Sequence, residues 1–361
     1  MNLGTAARTD RPAHGPAPVD WGLAAAAAER LVPGGPIIPR DEADHVVRQL
    51  RELTVIAEEH VRALTGLGAD LPMRQGEVVD RRGWVRAASA GLAALTEDAL
   101  PPGYPGPFGS VLAGTAGVQA GMVLAFLSSR VLGQYDPFGT SEGRLLLVAP
   151  NVVAAQRSMD VPDEDFRMWV CLHECTHRLQ FTAVPWLREH FATEVARLMS
   201  TLDASAVGAL TRLPEAVRGI RERVRGAEGL SALGPIALSE LLQSPEQRAA
   251  LDRIVALSTL LEGHADHVMD AVGPSVVPSV AVIRARFTAR RRGGGMLDRL
   301  LRALLGVEAK VRQYAEGSAF TRQVIDAVGM AGFNTVWTSP DTLPTRAEIT
   351  DPGAWLRRVH G

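Results

Sequence analysis

The sequence predicts a mainly α-helical protein with a small β element, organised around one helix bearing His173-Glu174-Cys175-Thr176-His177. Three observations lead there. Apolar residues recur at helical spacing through long segments, as in Val46, Leu50, Leu53, Ile56 and Val61. A single short apolar run, Leu145-Leu146-Leu147-Val148-Ala149 between Gly143 and Pro150, reads as a strand. The two motif histidines lie four apart, which places them one turn apart on one helix face.

Along the chain, residues 1–19 hold several prolines and charges but no apolar core, so a disordered lead-in is expected and a secretory signal is not. Residues 20–140 read as a helical N-terminal part. Trp21 to Leu31 is Ala-rich and stops before Pro33-Gly34-Gly35-Pro36, and Asp41 to Leu64 is amphipathic. Phe108 to Leu127 carries no charge and is long enough to span a membrane. Its glycines and its Ser110, Thr115 and Gln119 make it only modestly apolar, and Ala113, Gly117 and Gly121 form a close-packing stripe. It is read as a buried core helix rather than a membrane span. Gln134-Tyr135-Asp136-Pro137-Phe138-Gly139 is turn chemistry.

Residues 141–332 are expected to form the metal-binding core. Its motif helix starts between Asp160 and Asp163, with Pro162 suited to a first turn, and runs to about Val184, where Pro185 stops it. Residues 190–225 look helical, 231–245 helical or mixed, and Glu246 to Val272 forms a long helix ended by Gly273-Pro274. Arg284 to Gly295 is basic, then Gly-rich, and reads as a solvated loop; Leu297 to Val328 is helical again. Residues 333–361, with Pro340, Pro344 and Pro352, read as an irregular wrap, and 20–361 as one compact unit.

Composition bounds the partners. A chain 46% hydrophobic and 22% charged is globular, and a net charge of −2 gives no global attraction for nucleic acid or an anionic membrane. Cys171 and Cys175 stack on one helix face as buried thiols, which favours a reducing, cytoplasmic location over a disulfide framework.

Two imidazoles at this spacing can reach one Zn²⁺ at about 2.0–2.1 Å. Glu174 sits about 100° further round the helix, placed to act as base on a metal-bound water. The flanks Phe166, Trp169, Val170, Leu172, Leu179 and Phe181 are apolar, so the helix is buried and its polar groups need partners. One zinc per chain follows. The third ligand is sought in Leu261-Glu262-Gly263-His264-Ala265-Asp266-His267, where Glu262 and Asp266 share a face. Glu262 is the leading candidate, with Asp266 accepting an N–H from a ligating histidine. Gly263 would let this helix approach the motif helix closely. His264, His267 and His190 are rival ligands, although His264 points about 200° away from Glu262. Tyr314, Tyr135 and Arg284 are possible stabilisers of a transition-state oxyanion.

The run from Trp169 to Phe181, with Pro185-Trp186-Leu187-Arg188, closely resembles the zincin-like metallopeptidase family, type 2. Its actinobacterial members are often linked by name to biosynthesis of the deazaflavin coenzyme. Gln134-Tyr135-Asp136-Pro137, Leu261 to Asp266 and Leu343-Pro344-Thr345 look like the same family, so the resemblance covers about residues 20–358. It implies a zincin-like architecture and a zinc metallopeptidase acting on an unknown peptide or protein, with His173, His177 and Glu262 as ligands and Glu174 as base. The alternative is a zincin-shaped protein whose metal serves a structural or regulatory role. No dinucleotide-type glycine pattern follows a strand, so the residues themselves show no site for the coenzyme.

Overall fold

The computed structural model describes residues 19–97, 107–203, 245–292 and 307–361. The lead-in, the 231–244 stretch and the glycines at 293–295 lie outside them. Helices α1 (Trp21–Leu31), α2 (Arg40–Thr65), α3 (Arg81–Thr96) and α4 (Pro107–Ser128) precede the motif region, with strand β1 (Glu77–Val79) between α2 and α3. Strands β2 (Gly133–Asp136) and β3 (Arg144–Val148) follow, then α5 (Ala149–Met159), the motif helix α6 (Asp163–Ala183) and α7 (Leu187–Asp203). After them come α8 (Pro245–Ala271), α9 (Val280–Arg292), α10 (Val307–Phe333), two 3₁₀ turns (Asn334–Trp337 and Pro340–Thr342), α11 (Arg346–Thr350) and α12 (Pro352–His360).

The sheet has the order β1-β3-β2, with β1 parallel and β2 antiparallel to β3. Central β3 is buried from Leu145 to Val148, as a strand covered on both faces must be. Helix α6 packs against α2 on one side and against α8 and β2 on another. A single apolar cluster joins α2, β3, α5, α6, α8, α10 and the C-terminal helices, from Val46 to Trp355.

Several expectations need correction. Gln134 to Asp136 is edge strand, and only the residues after it turn, with Asp136 Oδ1 accepting from Phe138 N at 3.0 Å and Gly139 N at 3.2 Å. Pro150 does not merely end the strand; it opens α5, in the first turn where a missing N–H costs nothing. Residues 284–292 are helix, because Ile283 and Phe287, four apart, pack inward while Arg286 between them is exposed. The C-terminal segment is likewise built of short helical turns, two of which Pro340 and Pro352 start rather than prevent. Thr345 caps α11 in a reciprocal pair with Glu348.

Helix α4 is not buried all round. Its glycine stripe meets α1, where a Cβ at Gly121 would lie 2.6 Å from Ala24 O, while Val111, Leu112, Val118, Met122 and Val123 are exposed. By length and composition Ser110–Ser128 could cross a membrane, and only 28% of that window is buried.

The join between α2 and α6 is ionic as well as apolar. Glu58, 2% exposed, binds Arg62 on its own helix and Arg178 on α6. Arg62 also donates to Leu71 O at 2.6 Å, and Arg178 to Arg74 O at 2.6 Å, so the two cations hold the chain leading to β1. Removing the shared acid leaves the buried Arg178 and the partly buried Arg62 without their counter-ion. Glu58→Ala should cost about 3–5 kcal/mol in chemical denaturation; a loss under about 1 kcal/mol, the level of an exposed pair, would show that the triad is incidental.

Candidate metal centre

Helix α6 begins with Asp163, Glu164 and Asp165, acids that suit the positive end of a helix. It then sorts its polar residues by face. Cys171 and Cys175 turn toward α2, where Cys175 Sγ lies 3.2 Å from Thr54 O, and burial raises both thiols well above their ordinary range. The opposite face presents Trp169, His173, His177 and Phe181 to a cavity of about 850 Å³. Residues Gly133 and Gln134 of β2, Glu262 of α8 and Arg284 of α9 line other parts of the same cavity.

Three donors converge there. His173 Nε2 and His177 Nε2 are 3.2 Å apart, and Glu262 Oε2 lies 3.6 Å from the first and 3.7 Å from the second. Ligands bound tetrahedrally at about 2.0–2.1 Å are separated by about 3.3 Å. The triangle therefore has the size that three corners of a zinc tetrahedron require. Among the described residues this is the group able to hold a metal, and neither His190, His264 nor His267 belongs to it.

The electrostatics fit a cation. Burial opposes the charged form of His177, but Glu262 and Glu174 beside it outweigh that and raise its pKa to about 9. Burial, reinforced by Glu262 and partly offset by His177, pushes Glu174 up to about 8. The acids beside His177 thus favour a positive charge at that position.

Glu174 depends on an absence. Gly133, at the start of β2, faces its carboxylate so closely that a Cβ would lie 2.6 Å from Glu174 Cγ and 2.9 Å from Oε1. Glycine there is a requirement of approach. Gly263 serves a different contact from the one expected: its missing side chain meets Gly317 of α10, not α6.

The remaining candidates are distributed as follows. Asp266 is held by Arg284, whose Nη1 is 3.3 Å from its carboxylate and whose Nη2 donates to its main-chain O at 3.1 Å; Arg284 Nε also meets Asp270 at 2.8 Å. Tyr135 lines the cavity; burial raises its phenol to a pKa of about 12, and the hydroxyl donates to Glu142 O at 3.4 Å. The Tyr314 side chain lies outside the described residues. Gln180 was not anticipated. Its Oε1 is 2.9 Å from His177 Nδ1, and its Nε2 is 3.0 Å from both Leu261 O and His264 Nδ1. Burial lowers His264 to about 3, so this partner is a neutral imidazole.

A family model for zincin-like metallopeptidases matches residues 19–356. The chain belongs to the zincin-like metallopeptidase family. It is also similar to a protein of known crystal structure from Chloroflexus aurantiacus, described as a candidate hydrolase with a novel fold. That match has 30% identity and a TM-score of 0.67 and covers 95% of this chain and 99% of that one. No curated protein matches the chain. Within this zincin-like fold, the His-Glu-x-x-His helix and the acid helix are brought together across a long stretch of sequence.

Adding a methyl group at the β2–α6 contact gives a direct test of the base's setting. Gly133→Ala should destabilise the protein by about 1–3 kcal/mol, as overpacking does. Most of that cost should vanish in a Glu174→Ala background, measured as a double-mutant cycle in urea. Equal costs in both backgrounds would place the strain elsewhere.

Proposed function

We propose that this zincin-like protein is a zinc-dependent hydrolase of peptide bonds, with His173, His177 and Glu262 as ligands and Glu174 as the base. The observation that carries the reading is the tetrahedron-sized triangle of donors on the wall of an open cavity. Three protein donors with a buried acid beside them are the pattern of catalytic zinc, whereas structural zinc is enclosed by four. That favours catalysis over a purely structural metal.

A zinc ion held there supplies Lewis acidity, polarising a carbonyl and lowering the pKa of water toward neutrality. The chain's own groups do the rest. Glu174, buried at the cavity wall beside the ligands, would take a proton from the attacking water and return it to the departing amine. Gly133 keeps that carboxylate at the cavity wall. Arg284, which lines the cavity, is bound to Asp266 and Asp270 and so braces α8 beside the acid ligand. Asp266, one turn beyond Glu262 and paired with Arg284, steadies the ligand helix in this reading. Trp169 and Phe287, in edge contact at 4.9 Å between ring centroids, give one end of the cavity an apolar wall.

Protein purified without chelators should carry close to one zinc per chain by elemental analysis, and Glu262→Ala, His173→Ala or His177→Ala should lose it. Glu174→Gln should retain the metal while peptide hydrolysis falls at least 10²-fold, the scale of a lost general base. Absence of transition metal in the wild type would end the metal reading; undiminished hydrolysis by Glu174→Gln would end the catalytic one.

A further inference from the structure

We infer that Gln180 is a positioning residue: it decides which nitrogen of His177 faces the metal position, and it takes its instruction from the helix that carries Glu262. The inference rests on the metal reading above but is drawn from a separate set of contacts. Gln180 is fully buried, three residues after His177 on α6. Its amide could in principle present either end to the histidine.

The surroundings remove that choice. A main-chain carbonyl only accepts, so the Gln180 atom 3.0 Å from Leu261 O must be the NH₂ nitrogen. The same nitrogen lies 3.0 Å from His264 Nδ1, which therefore accepts the second proton. Gln180 is left with Oε1 toward His177 Nδ1, at 2.9 Å. An oxygen of an amide only accepts, so Nδ1 of His177 must carry a hydrogen. The lone pair at Nε2 is then the one aimed at His173 Nε2 and Glu262 Oε2, at 3.2 Å and 3.7 Å.

His264 cannot turn away from its part in this. Its ring lies against Phe333 and Trp337, with centroids 5.1 Å and 5.6 Å away, and it is fully buried. Leu261 and Glu262 are adjacent residues of α8. One turn of that helix thus offers both a carboxylate to the site and the carbonyl that dictates the tautomer of the histidine opposite. Partners of this kind commonly set ligand orientation, and their loss costs about 10–100-fold in metal affinity. Here the partner is a neutral amide, so it orients the ring without adding negative charge.

The test uses the full chain, zinc, and ¹⁵N–¹H correlation spectra of the histidine side chains. In zinc-loaded wild type, His177 should carry its proton on Nδ1, and that proton should be protected from exchange in the metal-free form as well. Gln180→Leu should lose the protected signal and bind zinc about 10–100-fold more weakly in chelator competition. Gln180→Glu, which keeps an acceptor for His177 but offers Leu261 O no donor, should recover part of that loss. A zinc-loaded wild type with the proton on Nε2 of His177, or a Gln180→Leu variant holding zinc within twofold of wild type, would overturn the inference. If Gln180→Leu does not fold, the wild-type spectrum alone decides. A wild type that takes up no zinc but shows the protected Nδ1 proton would sink the metal reading while leaving the Gln180 contact standing.

Discussion

The structure is governed by the burial of a polar helix. Helix α6 lies inside the protein yet carries two histidines, a glutamate, an arginine, a glutamine and a threonine in little more than two turns. Each must be given a partner or the fold forfeits the cost of stripping it of water. Arg178 is answered by Glu58 on α2, Thr176 by the Leu172 carbonyl at 2.7 Å, and Gln180 by α8. His173 and His177 are answered by Glu262. The neighbours of α6 are thus specified by charge and hydrogen bonding as well as by apolar fit.

That arrangement explains which parts were legible in the chain alone. His173 and His177 stand out because imidazoles one turn apart can share a metal, and Glu262 because it shares a face with Asp266; the structure brings these three side chains together. The long helices carry a clear apolar period. Gln180 and Gly133 had no such signal. A glutamine three residues after a histidine is unremarkable until α8 places a carbonyl against it, and Gly133 matters only because Glu174 sits opposite. Tertiary approach, not local pattern, gives those two residues their meaning.

The secondary-structure differences have the same origin. β1 has three residues, too few to display a two-residue period. α5 was hidden because Pro150 stops a strand and starts a helix equally well, and α9 because its arginines drew attention from Ile283 and Phe287 on the inner face. In α4 the uncharged composition suggested a core helix. Its glycine stripe does pack closely on α1, but the large apolar residues lie on the other side, where exposure is greatest.

The opposite placement of thiols and imidazoles on α6 has a consequence for the denatured chain. Cys171, His173, Cys175 and His177 are all potential ligands within one short segment. Folding separates them, sending the sulfurs to α2 and the rings to the cavity. Unfolding reunites the four as a flexible chelator with two thiolates, the softer and stronger donors for zinc. Metal would then bind both ends of the folding equilibrium, and its stabilising effect would be set by the difference between them. The donor that the short segment lacks is the carboxylate of Glu262, which only the completed fold brings within reach of the two rings.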